Sequence, residues 1–307
     1  MFDKHLNDAQ PRCYIVLDIE SAVIDRAGHR RYQAMERWTG EPDDPKSRRG
    51  HKPEEDSLKT PRWPFQTIVA VSAMILFEHS QGSIDVSRFE TFAAPDLDER
   101  GIVLGLYQLL SELPEHAEIV TWGGAWHDLP LLKNCTLRHG LSLPRGRAWM
   151  AWSGEGKANH LDLCRILGAG SKMKPTHMSE YAASLNIPAK ITAPPFAVAG
   201  LIKAGDFESV VEVVEGDVIT TALILARWRK LLDPRARCDV AEDRILRQVE
   251  ELMGTRRYIP ALRAHRKMLR QRLILEAAND SDPVEAERPV AAQPTPSSEE
   301  LPKVVGE

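Results

Sequence analysis

Residues 13–20 have the sequence CYIVLDIE, a short run of apolar and β-branched side chains with two acids near its end. This composition predicts a buried β-strand that ends at Glu20. Side chains two positions apart on a strand lie on the same face, so Asp18 and Glu20 would emerge side by side. Taken alone, the pair is equally well explained as two solvated acids at a strand end, because charged residues are mostly exposed.

The segments around this strand predict an α/β fold. Apolar runs predict further strands at residues 67–77, 84–93 and 117–122. Apolar residues at helical spacing predict helices at residues 97–113, 128–139, 176–185 and 206–232. Residues 160–167 suit either a strand or a helix. This order of elements predicts a mixed sheet with helices on its faces.

Composition divides the chain into three regions. Residues 1–232 form the predicted α/β domain, in which the polar, proline-rich stretch 26–64 is an insertion that we expect to be partly disordered. Residues 233–275 predict a basic helical extension, because residues 227–272 contain 14 Lys and Arg against 6 Asp and Glu. Such a run is either a solvated helix surface or a surface that binds nucleic acid. Residues 276–307, with 8 acids, 2 basic residues and 5 prolines, predict a disordered tail.

Bulk composition excludes several classes of protein. The net charge of −4 is not that of a polycation, so any nucleic-acid surface has to be local. The four cysteines form no CxxC pair, which argues against a zinc ribbon and suits a reducing cytoplasm. The N-terminus predicts no secretory signal, and no apolar run approaches the ~20 residues of a membrane span. No GK[ST] follows Gly123-Gly124. We therefore expect a cytoplasmic protein without a membrane segment or a nucleotide cofactor.

Two further acids lie in contexts that suit a metal site. Asp128 follows a predicted strand and two glycines at the start of a predicted helix, where it is either functional or simply a partner of the helix dipole. Asp217 lies among apolar neighbours on one face of the helix 206–232, and an unpaired buried carboxylate is costly. With Asp18 and Glu20, these acids would supply the oxygen ligands that Mg²⁺ prefers. Two such ions can promote phosphodiester hydrolysis.

Three segments, in this order, resemble the motifs of the DEDD (DnaQ-like) 3′–5′ exonucleases. They are IVLDIES at 15–21, TWGGAWHDLPLL at 121–132, and VVEGDVITTALILARW at 213–228, which follows HLDLCRIL at 160–167. The chain is most similar to bacterial proteins predicted to be related to the proofreading domain of family B DNA polymerases. The resemblance implies a ribonuclease H-like fold, with a mixed five-stranded sheet flanked by helices and removal of nucleotides from 3′ ends.

The same resemblance assigns the metal ligands residue by residue. Asp18 and Glu20 would be the ligands of the first motif, Asp128 that of the second and Asp217 that of the third. Together they would hold two Mg²⁺ or Mn²⁺ ions. Asp162, in HLDL, either supports the site from outside the ligand set or is simply a turn acid.

Three departures from the family pattern concern the residues that flank the ligands. Family members carry a Tyr four residues before the last Asp or a His five residues before it, and here these positions are Val213 and Glu212. The usual Asn and aromatic residue of the second motif are Gly123 and His127. His127 is the first candidate for the missing catalytic role, although a structural histidine is the more common explanation.

Two functions remain open at this point, beside a disfavoured third, a purely structural adaptor that uses the 26–64 insertion and the tail. The first is a metal-dependent 3′–5′ exonuclease that hydrolyses phosphodiester bonds, with DNA favoured over RNA as its expected substrate. The second is a nuclease-like nucleic-acid-binding module with weak or no catalysis, which the substitutions at Val213 and Gly123 motivate.

Aromatic and basic residues after the second motif suit contact with a single-stranded or 3′-ended nucleic acid. Trp149 and Trp152 lie in a polar loop together with Arg145 and Arg147. Tryptophan rings can stack on unpaired bases, and arginines bind phosphates. Packing in the core is the more usual role of a tryptophan, so this assignment has a plain structural alternative. No pattern in the chain indicates a protein partner.

Overall fold

The computed structural model describes residues 11–23, 27–29, 31–32, 62–79, 82–151, 159–168, 176–194, 197–234 and 236–281. Most of the predicted insertion 26–64, and the predicted tail beyond residue 281, lie outside these residues, so their disorder stays a prediction. Among the helices that are described, none is both long and apolar enough to cross a bilayer.

Five strands form one mixed sheet. They are β1 (Arg12–Val23), β2 (Gln66–Glu78), β3 (Ile84–Ala93), β4 (Glu118–Thr121) and β5 (His160–Asp162). Their order across the sheet is β3-β2-β1-β4-β5. β1 lies in the middle, antiparallel to β2 and parallel to β4. It continues to Val23, beyond its predicted end at Glu20, because it keeps pairing with β2 after an irregularity between Glu20 and Ser21.

The principal helices flank this sheet. They are α1 (Glu99–Glu112), α2 (Asp128–Arg138), α3 (Leu163–Leu167), α4 (Met178–Ser184), α5 (Val198–Ala204), α6 (Phe207–Leu232), α7 (Cys238–Leu252) and α8 (Ile259–Ser281). The predicted mixed sheet with helices on its faces is therefore confirmed. The segment 160–167 forms a strand followed at once by a helix. The sequence does not predict α5, because its seven residues, one of them Gly200, are too few for a helical pattern.

The residues of β1 alternate between two apolar clusters. Tyr14 and Val16 belong to the cluster that includes α6 and α7, whereas Ile15 and Leu17 belong to the cluster that includes α1 and α2. This alternation follows from the two-residue period of a strand. Asp18 continues the row of Tyr14 and Val16, so the fold directs this acid toward the α6 side of the sheet.

The two C-terminal helices share the core of the α/β domain. Ile245 and Leu246 of α7 and Leu262 of α8 are at most 2% exposed and belong to the same cluster as α6. The domain boundary at residue 232 stays a prediction. The predicted start of the disordered tail at residue 276 also stays a prediction, and the last six residues of α8 lie beyond it.

Acidic partners neutralise many arginines of the basic region. The pairs are Arg244–Asp85, Arg256–Glu215, Arg257–Glu212, Arg263–Glu250, Arg266–Asp243 and Arg270–Asp243. These contacts tie α7, α8 and the loop between them to β3, to α6 and to each other. Much of the positive charge therefore holds helices together, which favours the structural explanation of this region over a nucleic-acid surface.

Glu99, the first residue of α1, joins the start of β2 to the end of α2. Its carboxylate accepts hydrogen bonds from Thr67, Ile68, Cys135, Arg138 and His139. Burial by itself would raise the pKa of Glu99, but the hydrogen bonds outweigh it and lower the pKa to about 2. The carboxylate thus anchors α2, the helix that begins at Asp128.

We predict that Glu99→Gln destabilises the protein at pH 7 and much less at low pH. The folded-state pKa lies below the ordinary value, so this stabilisation is present above pH ~4.5 and is lost as the pH falls toward ~2. The shift corresponds to about 3 kcal/mol of unfolding free energy at neutral pH. Urea unfolding at pH 7 and pH 3 measures it. Glu251→Gln, at an exposed surface pair, is the control. Equal stability of Glu99→Gln and the parent at pH 7 would contradict the prediction.

Candidate active site

Three of the predicted ligands meet between β1 and α6. Carboxylate oxygens of Asp18, Glu20 and Asp217 lie within 4.8 Å of one another. Asp18 and Glu20 project from the same face of β1, and Asp217 faces them from inside α6, where it is 6% exposed. The tertiary structure therefore brings together acids that are about 200 residues apart in sequence.

Asp128, at the start of α2, lies outside this group of three but interacts with it electrostatically. It is 5% exposed, and its negative charge raises the pKa of Asp18, Glu20 and Asp217. Charges that perturb one another in this way lie close together. The structure thus brings three of the four predicted ligands within ligand distance of one another, and the fourth, Asp128, acts on them through its charge.

Two glycines shape the turn that delivers Asp128. Gly123 adopts a positive φ of 78°, which glycine tolerates better than other residues. A Cβ atom at Gly124 would lie 2.7 Å from Cβ of Thr121 and 2.8 Å from Oδ2 of Asp128. A side chain there would displace the carboxylate, so the double glycine has a steric reason.

Asp162 fixes the same turn from β5. Its Oδ1 accepts from the backbone N–H of Gly123 at 2.9 Å, and its Oδ2 accepts from Ala125 at 2.9 Å. Oδ1 also accepts from Arg165 N at 3.3 Å, which caps α3. Asp162 is thus a positioning residue for the turn before Asp128 rather than a simple turn acid.

Burial and mutual repulsion raise the pKa of the clustered acids. Burial is the largest cause at each of them, and it raises the pKa of Glu20 to about 7 together with the charge of Asp217. Asp18 is raised well above its usual value, since Asp128 and the other acids add to the effect of burial. A site of this kind favours either protons or cations.

Lys190 is a site residue that the sequence does not indicate, because a lysine in a loop is ordinary. Its ammonium forms an ion pair with Asp217. Its charge also lowers the pKa of Asp18 and Glu20, opposing the effect of burial. One lysine thus partly compensates the charge of three acids, Asp18, Glu20 and Asp217.

The loop that carries Lys190 is fastened to α6. Thr220 Oγ1 donates to the carbonyl of Pro188 at 3.0 Å. A Cβ atom at Gly216 would lie 3.4 Å from Ile191, so the loop packs closely on the helix one residue before Asp217. Lys190 itself has a positive φ of 51°. These contacts hold the ammonium against the acids.

His127 lies beside the acids and contacts one of them. Its Nδ1 is 3.1 Å from Oδ1 of Asp128, and its Nε2 is 3.1 Å from Oε1 of Gln66. The hydrogen bond to Asp128 is the main cause that raises the pKa of His127. Both ring nitrogens therefore have partners, and the histidine orients the Asp128 carboxylate. A catalytic role for His127 stays a prediction.

Glu212 and Val213, at the positions where family members carry His or Tyr, make structural contacts instead. Glu212 is 1% exposed and pairs with Arg257. Val213 is 2% exposed and belongs to an apolar cluster with Val69 and Ala70 of β2. Neither side chain can position a water. A tyrosine at 213 would overpack this cluster, which typically costs about 1–3 kcal/mol.

The predicted nucleic-acid contact at Arg147 is wrong. Its side chain is fully buried, and the guanidinium donates to backbone carbonyls of Leu110, Leu113, Pro114 and Glu115. An arginine in a polar loop gives no sequence signal of such a carbonyl cage. The positive charge of Arg147 opposes the rise in the pKa of Cys13 that burial causes, so Arg147 lies near Cys13 at the start of β1. Cys13 precedes Asp18 by five strand residues, or about 16 Å.

The other described residues of this predicted contact surface lie at the same end of β1 as Arg147. Trp149 is half-buried against the cluster of α1 and α2, and Arg145 is exposed in the same loop. Trp152 lies outside the described residues. The described part of the loop is therefore at the far end of β1 from the acids.

A cleft of about 340 Å³ opens beside the acids instead. Its walls include Asp18, Asp217, Lys190, Trp122, Trp126 and His177. The chain thus combines carboxylates, one ammonium and two indole rings around a space open to solvent.

We predict that Asp162→Asn destabilises the protein by about 1–3 kcal/mol, because an amide group would face a backbone donor that now has an acceptor. Urea unfolding measures the change. Asp98→Asn is the matched control, since Asp98 caps α1 through one hydrogen bond to Gly101 N and asparagine caps equally well. Equal, small effects of the two substitutions would show that Asp162 does not hold the turn.

Comparison with known proteins identifies a family that matches this chain. Residues 59–265 match the model described as "Predicted 3'-5' exonuclease related to the exonuclease domain of PolB". The family B DNA polymerase from the archaeon Pyrobaculum calidifontis is similar at 18% identity with a TM-score of 0.44, over 80% of this chain and 30% of that chain. Exonuclease I in complex with the inhibitor BCBP is similar at 11% identity with a TM-score of 0.38, over 80% of this chain and 46% of that chain.

E. coli exonuclease I in complex with a dT13 oligonucleotide is similar at 11% identity with a TM-score of 0.38, over 73% of this chain and 42% of that chain. The chain thus spans less than half the length of these solved structures. No curated protein matches it.

The residues that match the family model include most of the candidate active site. The matched residues include Asp128, Lys190 and Asp217 and begin after β1, whose Asp18 and Glu20 reach the same site through the sheet. The fold is the expected ribonuclease H-like one, a mixed five-stranded sheet flanked by helices. Because the match covers more than half of its residues, the chain belongs to the family of predicted 3′–5′ exonucleases related to the exonuclease domain of PolB.

Proposed function

We propose that this chain is a metal-dependent 3′–5′ exonuclease that removes nucleotides from single-stranded ends of DNA. The observation that carries the proposal is the acid cluster, in which oxygens of Asp18, Glu20 and Asp217 lie within 4.8 Å and Asp128 shares their electrostatic field. Family membership supplies the reaction class.

The donor set fits hard divalent cations. All four candidate ligands are carboxylates, and Mg²⁺ and Mn²⁺ prefer oxygen ligands. Their raised pKa values, caused first by burial, mean that the site is under-compensated in positive charge even with Lys190 present. Bound cations would relieve this repulsion, which supports two ions at this place.

Asp18, Glu20, Asp128 and Asp217 would hold the two ions. When bound there, such ions would supply Lewis-acid chemistry for phosphodiester hydrolysis. The chain's own residues would orient the reactants. His127 holds the Asp128 carboxylate, and Lys190 carries a positive charge on the wall of the cleft where a phosphate would enter.

DNA is the proposed substrate because the family is related to a DNA polymerase domain, and RNA is the alternative that a direct comparison tests. The cleft beside the acids is open and lined by aromatic and polar side chains, which suits an unpaired strand end better than a duplex.

A second candidate function has a specific observation in its favour. Glu212 and Val213 replace the family's water-positioning residues, and both are buried in other contacts. A chain without such a residue can retain metals and nucleic acid yet hydrolyse slowly. The alternative is therefore a nuclease-like binding module with weak or no catalysis.

We predict that the protein shortens a 5′-labelled single-stranded DNA from its 3′ end with Mg²⁺ or Mn²⁺ and not with EDTA. Asp18→Asn should reduce the rate at least ~100-fold, because loss of even an outer partner of a metal ligand typically costs ~10–100-fold and Asp18 is a proposed ligand itself. Gel separation of the products gives the ladder. Asp96→Asn, at an exposed turn outside the cluster, should leave the rate unchanged.

The substrate panel separates the candidate functions. A circular strand should stay intact, because an exonuclease needs an end. An RNA strand of the same sequence tests the sugar preference. Cleavage that persists in EDTA or in Asp18→Asn would sink the metal mechanism. Retardation of the strand without shortening would instead support the binding module.

We predict that Lys190→Ala lowers the melting temperature in EDTA by several degrees and increases the stabilisation that Mg²⁺ or Mn²⁺ provides. Loss of the ammonium leaves the acids with less compensation, and a ligand that binds the folded state stabilises it. Alanine carries the same Cβ at the positive φ, so backbone strain is unchanged. Thermal unfolding with and without metal measures both effects. Lys203→Ala, on the exposed side of α5, is the control.

The same metal-dependent gain in the parent and in Lys190→Ala would contradict this prediction. It would mean that Lys190 does not compete with cations for the acids.

A further inference from the structure

One wall of the cleft is an exposed indole ring close to the acids. Trp126 is 38% exposed, although it lies only two residues before the ligand Asp128. Large apolar side chains that stay exposed at a ligand-sized cleft often mark a contact surface. The ring therefore lies where a strand end held at the acids would pass.

The surroundings of Trp126 hold it in place. Asp162 fixes the turn just before it through the backbone N–H groups of Gly123 and Ala125. The guanidinium of Arg165 lies 5.7 Å from the centroid of the Trp126 ring, in a cation–π contact. A ring held in this way loses little freedom when a ligand stacks on it.

Trp122 differs from Trp126 in its contacts. Its ring packs against Tyr181, with centroids 5.3 Å apart, and its Nε1 donates to the carbonyl of Thr176 at 3.1 Å. Trp122 is therefore part of the wall, whereas Trp126 presents its ring to solvent.

We propose that Trp126, backed by Arg165, is the stacking platform for the base at the 3′ end of a single strand whose last phosphodiester lies at the acid cluster. The inference rests on the proposed function and adds the base-binding subsite to it. Stacking uses the π-face that every base has, so this contact tolerates any sequence. The positive charge of Arg165 also favours the negative strand.

The test is a double-mutant cycle between the ring and the terminal base. Binding of a short 5′-fluorescein-labelled DNA strand is measured by anisotropy in Mg²⁺, in the Asp18→Asn background so that the strand persists. The strand ends in either a normal 3′ nucleotide or an abasic one. Trp126→Ala, Trp126→Phe and Trp149→Ala are added to this background.

Trp126→Ala should weaken binding of the normal strand about tenfold and leave the abasic strand unchanged. Trp126→Phe should retain most of the affinity, because phenylalanine still stacks. Trp149→Ala, a tryptophan at the far end of β1, should bind both strands like the parent. This pattern assigns the loss to contact between the ring and the base.

Two results overturn the inference in different ways. If the parent protein binds and shortens DNA but Trp126→Ala weakens binding of both strands equally, or of neither strand, the stacking platform is refuted. A parent that neither retards nor shortens any strand refutes the proposed function, and the platform falls with it.

Discussion

Repulsion among four largely buried carboxylates is the interaction on which the rest of the site depends. Asp18, Glu20, Asp128 and Asp217 would separate or take up protons unless the fold held them and positive charge compensated them. The ion pair with Lys190 supplies part of that charge. The negative charge that remains uncompensated is the basis of the proposed affinity for divalent cations.

The fold meets this constraint with few, specific contacts away from the acids themselves. Glu99 fastens the end of α2 to β2, and Asp162 fastens the turn that begins α2. Thr220 fastens the Lys190 loop to α6. Each contact joins two elements that deliver a charged group, so the acids approach one another as parts of rigid elements rather than of free loops.

The residues of α6 just before Asp217 have a structural role in this chain. Glu212 and Glu215 are buried and pair with Arg257 and Arg256, just before α8. This stretch of the helix therefore anchors the C-terminal helices instead of presenting a tyrosine or histidine to the site. Many of the arginines that make the C-terminal region basic form such ion pairs. The net charge of this region is therefore a poor guide to nucleic-acid binding.

The sequence by itself determined four of the five strands, the long helices of the predicted α/β domain and the four candidate acids, because hydrophobic periodicity and motif order are local properties of the chain. Only the tertiary structure decided the rest. Lys190 joins the site through a loop that packs on α6, and Arg147 leaves the predicted contact surface for a cage of carbonyls. Both are single charged residues in loops, and their partners are distant in sequence. No local pattern encodes which distant group a loop charge will meet, since that choice depends on how the sheet and helices pack.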